Sequence, residues 1–422
     1  MNKRCYHTHF IVLLVFCVSI IESCNTYSPI ADSSFRYLYD YESASLHPEY
    51  VVYHDSEEKT SVHFRIHTSE LLYTRAGSDQ PFRCSLLLKW KKDGVAIDSM
   101  LIEDSKNSDV ERWLTGAFEL IVSAGSSFSL TVETTDNKRQ TAQETRLFID
   151  KRDKYNQQNF LLLDTNNAAV LFKDFQPTDK VIFVRSDRNS DDGFHVFHDP
   201  QAAKLPPPPF SSNPPELPVV AQLSEVPLGI LEDDPSQFKL NLTSGRYVLC
   251  AGNERKIGKT ITTADKFFPE VGSIRELIHP LRYITSKVEY ETIENNSDPK
   301  KLVDNFWIEC AGNKDRAREL IRIYYSRVRE ANYYFSSYTE GWRTDRGMVH
   351  LIFGHPNVIR KTDESETWIY GEEGNISSIT FVFKKSNYGL AGNVYTLIRD
   401  PMFRTHWERM VTTWRNGRVY NE

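Results

Sequence analysis

Four side chains in the last third of the chain are of the types that acid–base chemistry uses: Asp345, His350, His355 and Glu366. A carboxylate that takes a proton and an imidazole that returns one are a minimal set for hydrolysis. Asp345 closes the stretch Gly341-Trp342-Arg343-Thr344-Asp345-Arg346-Gly347, which reads as a tight turn pinned by one large ring and one charge pair. The run Met348-Val349-His350-Leu351-Ile352-Phe353 follows and reads as a strand. On such a strand His350 and Ile352 share the face opposite Leu351 and Phe353, leaving His350 half-buried. The same residues also have a structural reading. Trp342 plugs the junction between a long helix and a sheet. Asp345 accepts from turn amides or pairs with an arginine of that helix. Glu366 pairs with Arg346 across the sheet end. A buried carboxylate requires a partner of this kind. The structural reading is preferred, and Asp345, His350 and Glu366 stand as the catalytic candidates of the alternative reading.

Other chemistry is argued against. His63 and His67 share a face of the alternating run Val62-His63-Phe64-Arg65-Ile66-His67, but no third ligand accompanies them. His195 and His198 fall on opposite faces of a strand. Gly252 to Thr260 reads GNERKIGKT, with five residues between the glycines where a phosphate-binding loop has four. No nucleotide, cofactor or metal is therefore expected. Cys84, Cys250 and Cys310 lack metal spacing and read as buried small hydrophobes. The net charge of −6 comes with basic residues spread along the chain, which argues against a nucleic-acid partner.

The elements that carry these residues begin after a targeting segment. Lys3 and Arg4 precede an apolar run from Phe10 to Ile21, too short to span a bilayer, and Ser23-Cys24 resembles a bacterial lipobox. Residues 1–23 are expected to be a signal peptide, and residues 24–34 a tether lipidated at Cys24. Without an acidic run after Cys24, the expected place is the outer membrane, facing the periplasm. Residues 35–150 and 151–265 read as two β-sandwich modules of immunoglobulin-like type. The second carries a proline-rich loop over 205–218, and Gly245-Arg246-Tyr247 resembles a tyrosine corner. Residues 266–422 read as α+β. Asp298-Pro299 starts one helix. Asn313 caps the next, which runs from Lys314 to about Phe335 with Ala317, Leu320, Ile321, Tyr324, Val328, Ala331 and Phe335 on its core face. Arg318, Arg322, Tyr325 and Arg329 step along a neighbouring face, with Glu319 and Glu330 balancing their charge. Together with Trp342, Asp345 and Arg346 they form the expected partner-binding set.

Phe306-Trp307, Tyr324-Tyr325-Ser326-Arg327-Val328, Ala331-Asn332, Gly341-Trp342 with Thr344-Asp345-Arg346-Gly347, Phe353-Gly354 with Pro356, and Glu366 with Trp368 and Tyr370 resemble the GWxTD-domain proteins. The resemblance spans about residues 267–416. It implies a Gram-negative envelope lipoprotein with β modules ahead of this domain, and it implies no known reaction. Three readings of function compete. The first is a lipid-anchored structural or docking module, within a secretion, gliding or outer-membrane assembly machine. The second is a periplasmic hydrolase of peptidoglycan or peptides acting through Asp345, His350 and Glu366. The third is a glycan-binding lipoprotein.

Overall fold

Strands with one apolar and one polar face must pair face to face to bury the apolar side, and the first half of the chain does this twice. The computed structural model describes residues 39, 44–106, 111–153, 155–165, 169–186, 194–200, 204–216, 223–231, 234, 236–251, 256–362, 364–375, 377–386 and 393–419. The expected signal peptide, Cys24, the tether and Pro218 lie outside these residues.

In the first β region a sheet ordered β1-β2-β5 faces one ordered β4-β3-β6-β7. The strands are β1 (Glu49–His54), β2 (Lys59–His67), β3 (Phe82–Lys92), β4 (Val95–Lys106), β5 (Trp113–Ile121), β6 (Ser127–Asp136) and β7 (Thr141–Asp150). Val62, Phe64 and Ile66 point inward, with Phe118 and Leu120 from the same sheet and Leu86, Leu88, Trp90, Leu130 and Val132 from the other. Trp90 stacks on Phe118 across the gap at 4.0 Å.

The second β region pairs a sheet ordered β13-β14-β10-β8 with one ordered β12-β11-β15-β16-β9. These are β8 (Leu161–Leu163), β9 (Phe175–Pro177), β10 (Val181–Arg185), β11 (Phe194–Asp199), β12 (Ser224–Val226), β13 (Gly229–Ile230), β14 (Gln237–Asn241), β15 (Arg246–Ala251) and β16 (Lys256–Ala264). Tyr247 forms the expected corner, its hydroxyl accepting from the Thr243 amide at 2.7 Å and reaching the Asn241 carbonyl at 3.3 Å. Gly245 just before it sits at φ +133°, where a side chain would strike the Asp199 carbonyl. Ile261 to Thr263 lie in β16, a strand and not the helix that a phosphate loop would open. Cys84, Cys250 and Cys310 are all buried.

The outer faces of these sheets are also used. Val51 and Tyr53 of β1 pack on Leu161, Leu163 and Phe183. Phe197, Val248 and Cys250 pack on Tyr338 and Val394 from the C-terminal region. Part of each of these outer faces is thus covered by a neighbouring region.

The C-terminal region sets helices on a small antiparallel sheet ordered β17-β18-β19-β20: β17 (Val358–Lys361), β18 (Ser365–Tyr370), β19 (Ile379–Lys385) and β20 (Tyr395–Leu397). The helices are α1 (Ile274–Ile278), α2 (Lys287–Glu294), α3 (Pro299–Ala311), α4 (Lys314–Phe335), α5 (Asp345–Phe353) and α6 (Phe403–Arg415). Asp298 and Asn313 cap α3 and α4 as the sequence predicts. On α4 the structure buries Ile323 where the sequence reading placed Ile321, and it also buries Arg327 and Asn332.

One element is of the wrong type in the sequence reading. Met348 to Phe353 is not a strand but the body of helix α5, every residue of which is buried. An apolar run surrounded by protein carries no period, so pattern cannot separate helix from strand. The decision lies in the cap: Thr344 accepts from the Gly347 amide at 3.1 Å, and Asp345 stands in the first turn.

Candidate functional site

The Gly341 stretch is a place where three backbones touch. Gly341 to Arg343 form a 3₁₀ turn wedged between the end of α4 and the start of α5. A Cβ on Gly341 would land in the Ala331 carbonyl of α4, and one on Gly347 would land in the Gly341 carbonyl. Both glycines are required by close approach rather than by an unusual φ. Trp342 is buried, with Tyr283 and His279 against its ring. Its amide faces Asn332 of α4, and the Arg343 guanidinium lies 4.4 Å over its ring.

Asp345 turns toward β20. It accepts from the Leu397 amide at 2.7 Å and from both terminal nitrogens of Arg399, at 3.1 and 2.5 Å. The expected partners, turn amides or an arginine of the long helix, are replaced by this bidentate clamp from the chain just after β20. Burial pushes the Asp345 carboxyl up, against the pull of Arg399 and the Leu397 amide. Arg399 also donates to the Pro207 carbonyl at 2.9 Å, and the Arg404 guanidinium lies 4.4 Å over Phe210. The proline-rich loop, described over 204–216, is thereby laid against the C-terminal region.

Arg346 and Glu366 are paired as the sequence suggests, at 3.2 Å, and both are fully buried. Arg346 also donates to Asn393 and stacks 4.1 Å over Tyr395. Glu366, on β18, receives Lys361 at 2.7 Å and the Tyr39 hydroxyl at 2.7 Å. Tyr39 belongs to the opening of the chain, so a segment far away in sequence seals this pair, its ring set against Tyr334, Phe335 and Trp368. Burial raises the Glu366 carboxyl, but Arg346 and Lys361 outweigh it and hold it at about 2. A crevice beside these pairs, lined in part by Pro206, Tyr338 and Asn393, has room for about one water molecule.

His350 lies elsewhere. Five residues beyond Asp345 on the same helix, it points about 140° away around the axis. Its Nε2 sits 3.0 Å from Glu330 Oε2, and the same oxygen lies 3.2 Å from His355 Nε2. The two imidazoles meet edge to face at 4.8 Å. Burial pushes the His350 pKa down to about 4, against the Glu330 hydrogen bond, while the two histidines hold the Glu330 carboxyl well below the usual range despite its own burial.

The sequence over residues 245–416 matches the GWxTD domain family. The chain contains a GWxTD domain. No protein with a curated description matches the chain. The match opens at Gly245, just ahead of β15 in the second β region, where the Tyr338 carbonyl receives Arg246 at 3.1 Å and Thr262 at 3.3 Å.

Within the GWxTD domain, then, the three catalytic candidates do not converge. Among the described residues none of Asp345, His350 and Glu366 hydrogen-bonds another; each is bound to partners of its own. On α4, Tyr325 donates to the Leu277 carbonyl at 2.6 Å and is taken up by the fold. Arg318 pairs with Asp315 at 2.8 Å on the exposed side, Arg329 lies 4.0 Å from Glu270, and Arg322 is exposed. The Glu330–His350–His355 cluster was missed because the strand reading scattered its members. The available signal was two histidines flanking a helix end, with a glutamate on the long amphipathic helix before it.

Proposed function

We propose that this chain is a lipid-anchored envelope protein whose GWxTD domain docks a protein partner, with no chemistry at the GWxTD signature itself. The observation that carries the reading is the state of the signature acids: Asp345 and Glu366 are both buried and both spent on arginines that hold the fold together. An acid that acts on substrate must reach it, and the adjoining crevice admits little more than water. The two β regions are of immunoglobulin-like type, a reading supported by the three-on-four sheet arrangement of the first and the Tyr247 corner of the second. Cys24 carries the lipid, and the protein faces the periplasm from the outer membrane, with a partner that belongs to the envelope.

Tyr39 adds a constraint to this picture. Its hydroxyl donates to Glu366 at 2.7 Å, so a residue ahead of the first β region is part of the GWxTD core.

Asp345→Asn tests the docking reading. It leaves Arg399 short of its countercharge in a buried place, and a loss of about 3 kcal/mol is expected. Melting temperature and partner recovery in crosslinked envelopes should fall together. Intact melting with lost phenotype would instead point to an acid at work in a hydrolase. Globomycin should leave an uncleaved precursor; normal processing in its presence would remove the anchor.

A further inference from the structure

We propose that Glu330, His350 and His355 form a binding site for a divalent transition-metal ion of the zinc class. Their ligand atoms all lie within 4.8 Å of one another. Both Nε2 atoms converge on one carboxylate oxygen, at 3.0 and 3.2 Å. A tetrahedral ion bound at about 2.0–2.1 Å to each ligand separates those ligands by about 3.3 Å, so two of the three edges already have nearly that length. Two imidazoles and one carboxylate are a donor set for Zn²⁺ and its first-row neighbours, whereas Ca²⁺ and Mg²⁺ take oxygen-only shells.

The scaffold is suited to hold the ligands still. Glu330 stands on the 22-residue helix α4 and His350 on a fully buried one, with the edge of Phe335 against its ring at 5.6 Å. His355 follows the turn at Gly354 and is fixed ahead by Pro356. Glu330 and His355 remain partly exposed while His350 is closed off, so one side of the cluster opens to solvent. Three protein ligands with an open fourth position are the arrangement that leaves a place for water. Arg327 acts against a cation here, but its guanidinium is tied to the Leu351 and Ile352 carbonyls and lies over Trp414. The cluster is separate from the Asp345 and Glu366 pairs, so the proposal stands or falls without the docking reading.

The test uses the mature chain, stripped with a chelator and titrated with Zn²⁺ alone, then with Co²⁺ for its visible spectrum. One Zn²⁺ per chain is expected at micromolar affinity or tighter, with the intense Co²⁺ bands of a four-coordinate site. His355→Ala and Glu330→Gln should each weaken binding by on the order of 100-fold or more, whereas His195→Ala, on the second β region, should leave it unchanged. Near-UV circular dichroism of each metal-free variant checks its fold. Should either variant lose the fold, imidazole nitrogen shifts of the unaltered protein on adding Zn²⁺ replace it: two shifted imidazoles support the site. Absence of saturable binding, a six-coordinate Co²⁺ spectrum, unshifted imidazoles or binding that survives both substitutions would overturn it and leave a hydrogen-bonded histidine pair sharing a carboxylate.

Discussion

Gly347→Ala should prevent the GWxTD domain from folding as described. The added methyl has nowhere to go, because the position it needs is occupied by the Gly341 carbonyl, with Trp342 backbone behind it. A flexible side chain can swing away from such a clash, but two backbones locked between buried helices cannot. Relief requires α5 to draw back from the turn, which opens the Thr344 cap, the Asp345 clamp and the Arg346 pair together. A loss of more than about 4 kcal/mol is expected, in the range reserved for such named failures. Gly341→Ala should behave alike, since its methyl meets the Ala331 carbonyl on α4. Gly77 is the control: open space surrounds it, and its alanine variant should lie within about 0.5 kcal/mol of the parent. Thermal and urea unfolding of the three variants decide the matter. A Gly347→Ala protein that melts with the Gly77→Ala control would refute the three-backbone contact as the reason for these glycines.

What could be read ahead of the structure divides along physical lines. Signals that are local in sequence survived. The alternation of Val62, Phe64 and Ile66 became a strand, Asp298 and Asn313 became caps, and the apolar face of α4 held except at Ile321. Signals that depend on surroundings did not. Helix α5 is apolar on all sides because it is buried on all sides, and its type is set by one threonine that a strand reading passes over. The Arg346–Glu366 pair was legible because few arrangements satisfy a buried acid near a buried arginine. Arg399 as the partner of Asp345 and Tyr39 as the partner of Glu366 were not, since nothing in the chain marks residues 54 or 327 positions away as neighbours. The histidine cluster failed for the same reason: one wrong element type sent its members in different directions.

Glu366→Gln should cost about 3–5 kcal/mol although it changes a single oxygen, because it leaves the Arg346 charge buried with half its partners gone. The charge dependence gives this loss a signature in pH. Glu366 is held at about 2 in the folded protein against an ordinary value near 4.3. A depressed carboxyl contributes stability that is fully present above the unfolded value and is lost as pH falls through the folded one. For Glu366 that contribution is about 3 kcal/mol at neutral pH, and it fades between about pH 4 and pH 2. Glu289, held at about 2 by Arg415 against its own partial burial, fades over the same window, so the parent's acid limb alone cannot isolate Glu366. The difference between parent and variant does: the gap in urea midpoint should be widest above pH 5 and shrink steadily toward pH 2. A gap that stays constant with pH would mean that the side chain acts by shape and hydrogen bonding rather than by charge. Removing both members, as Arg346→Met with Glu366→Leu, should recover much of the loss of the single variant, because no charge is then stranded. Lys361 and Tyr39 set the limit of that recovery, since both also lean on the Glu366 carboxylate and would lose their partner in either variant.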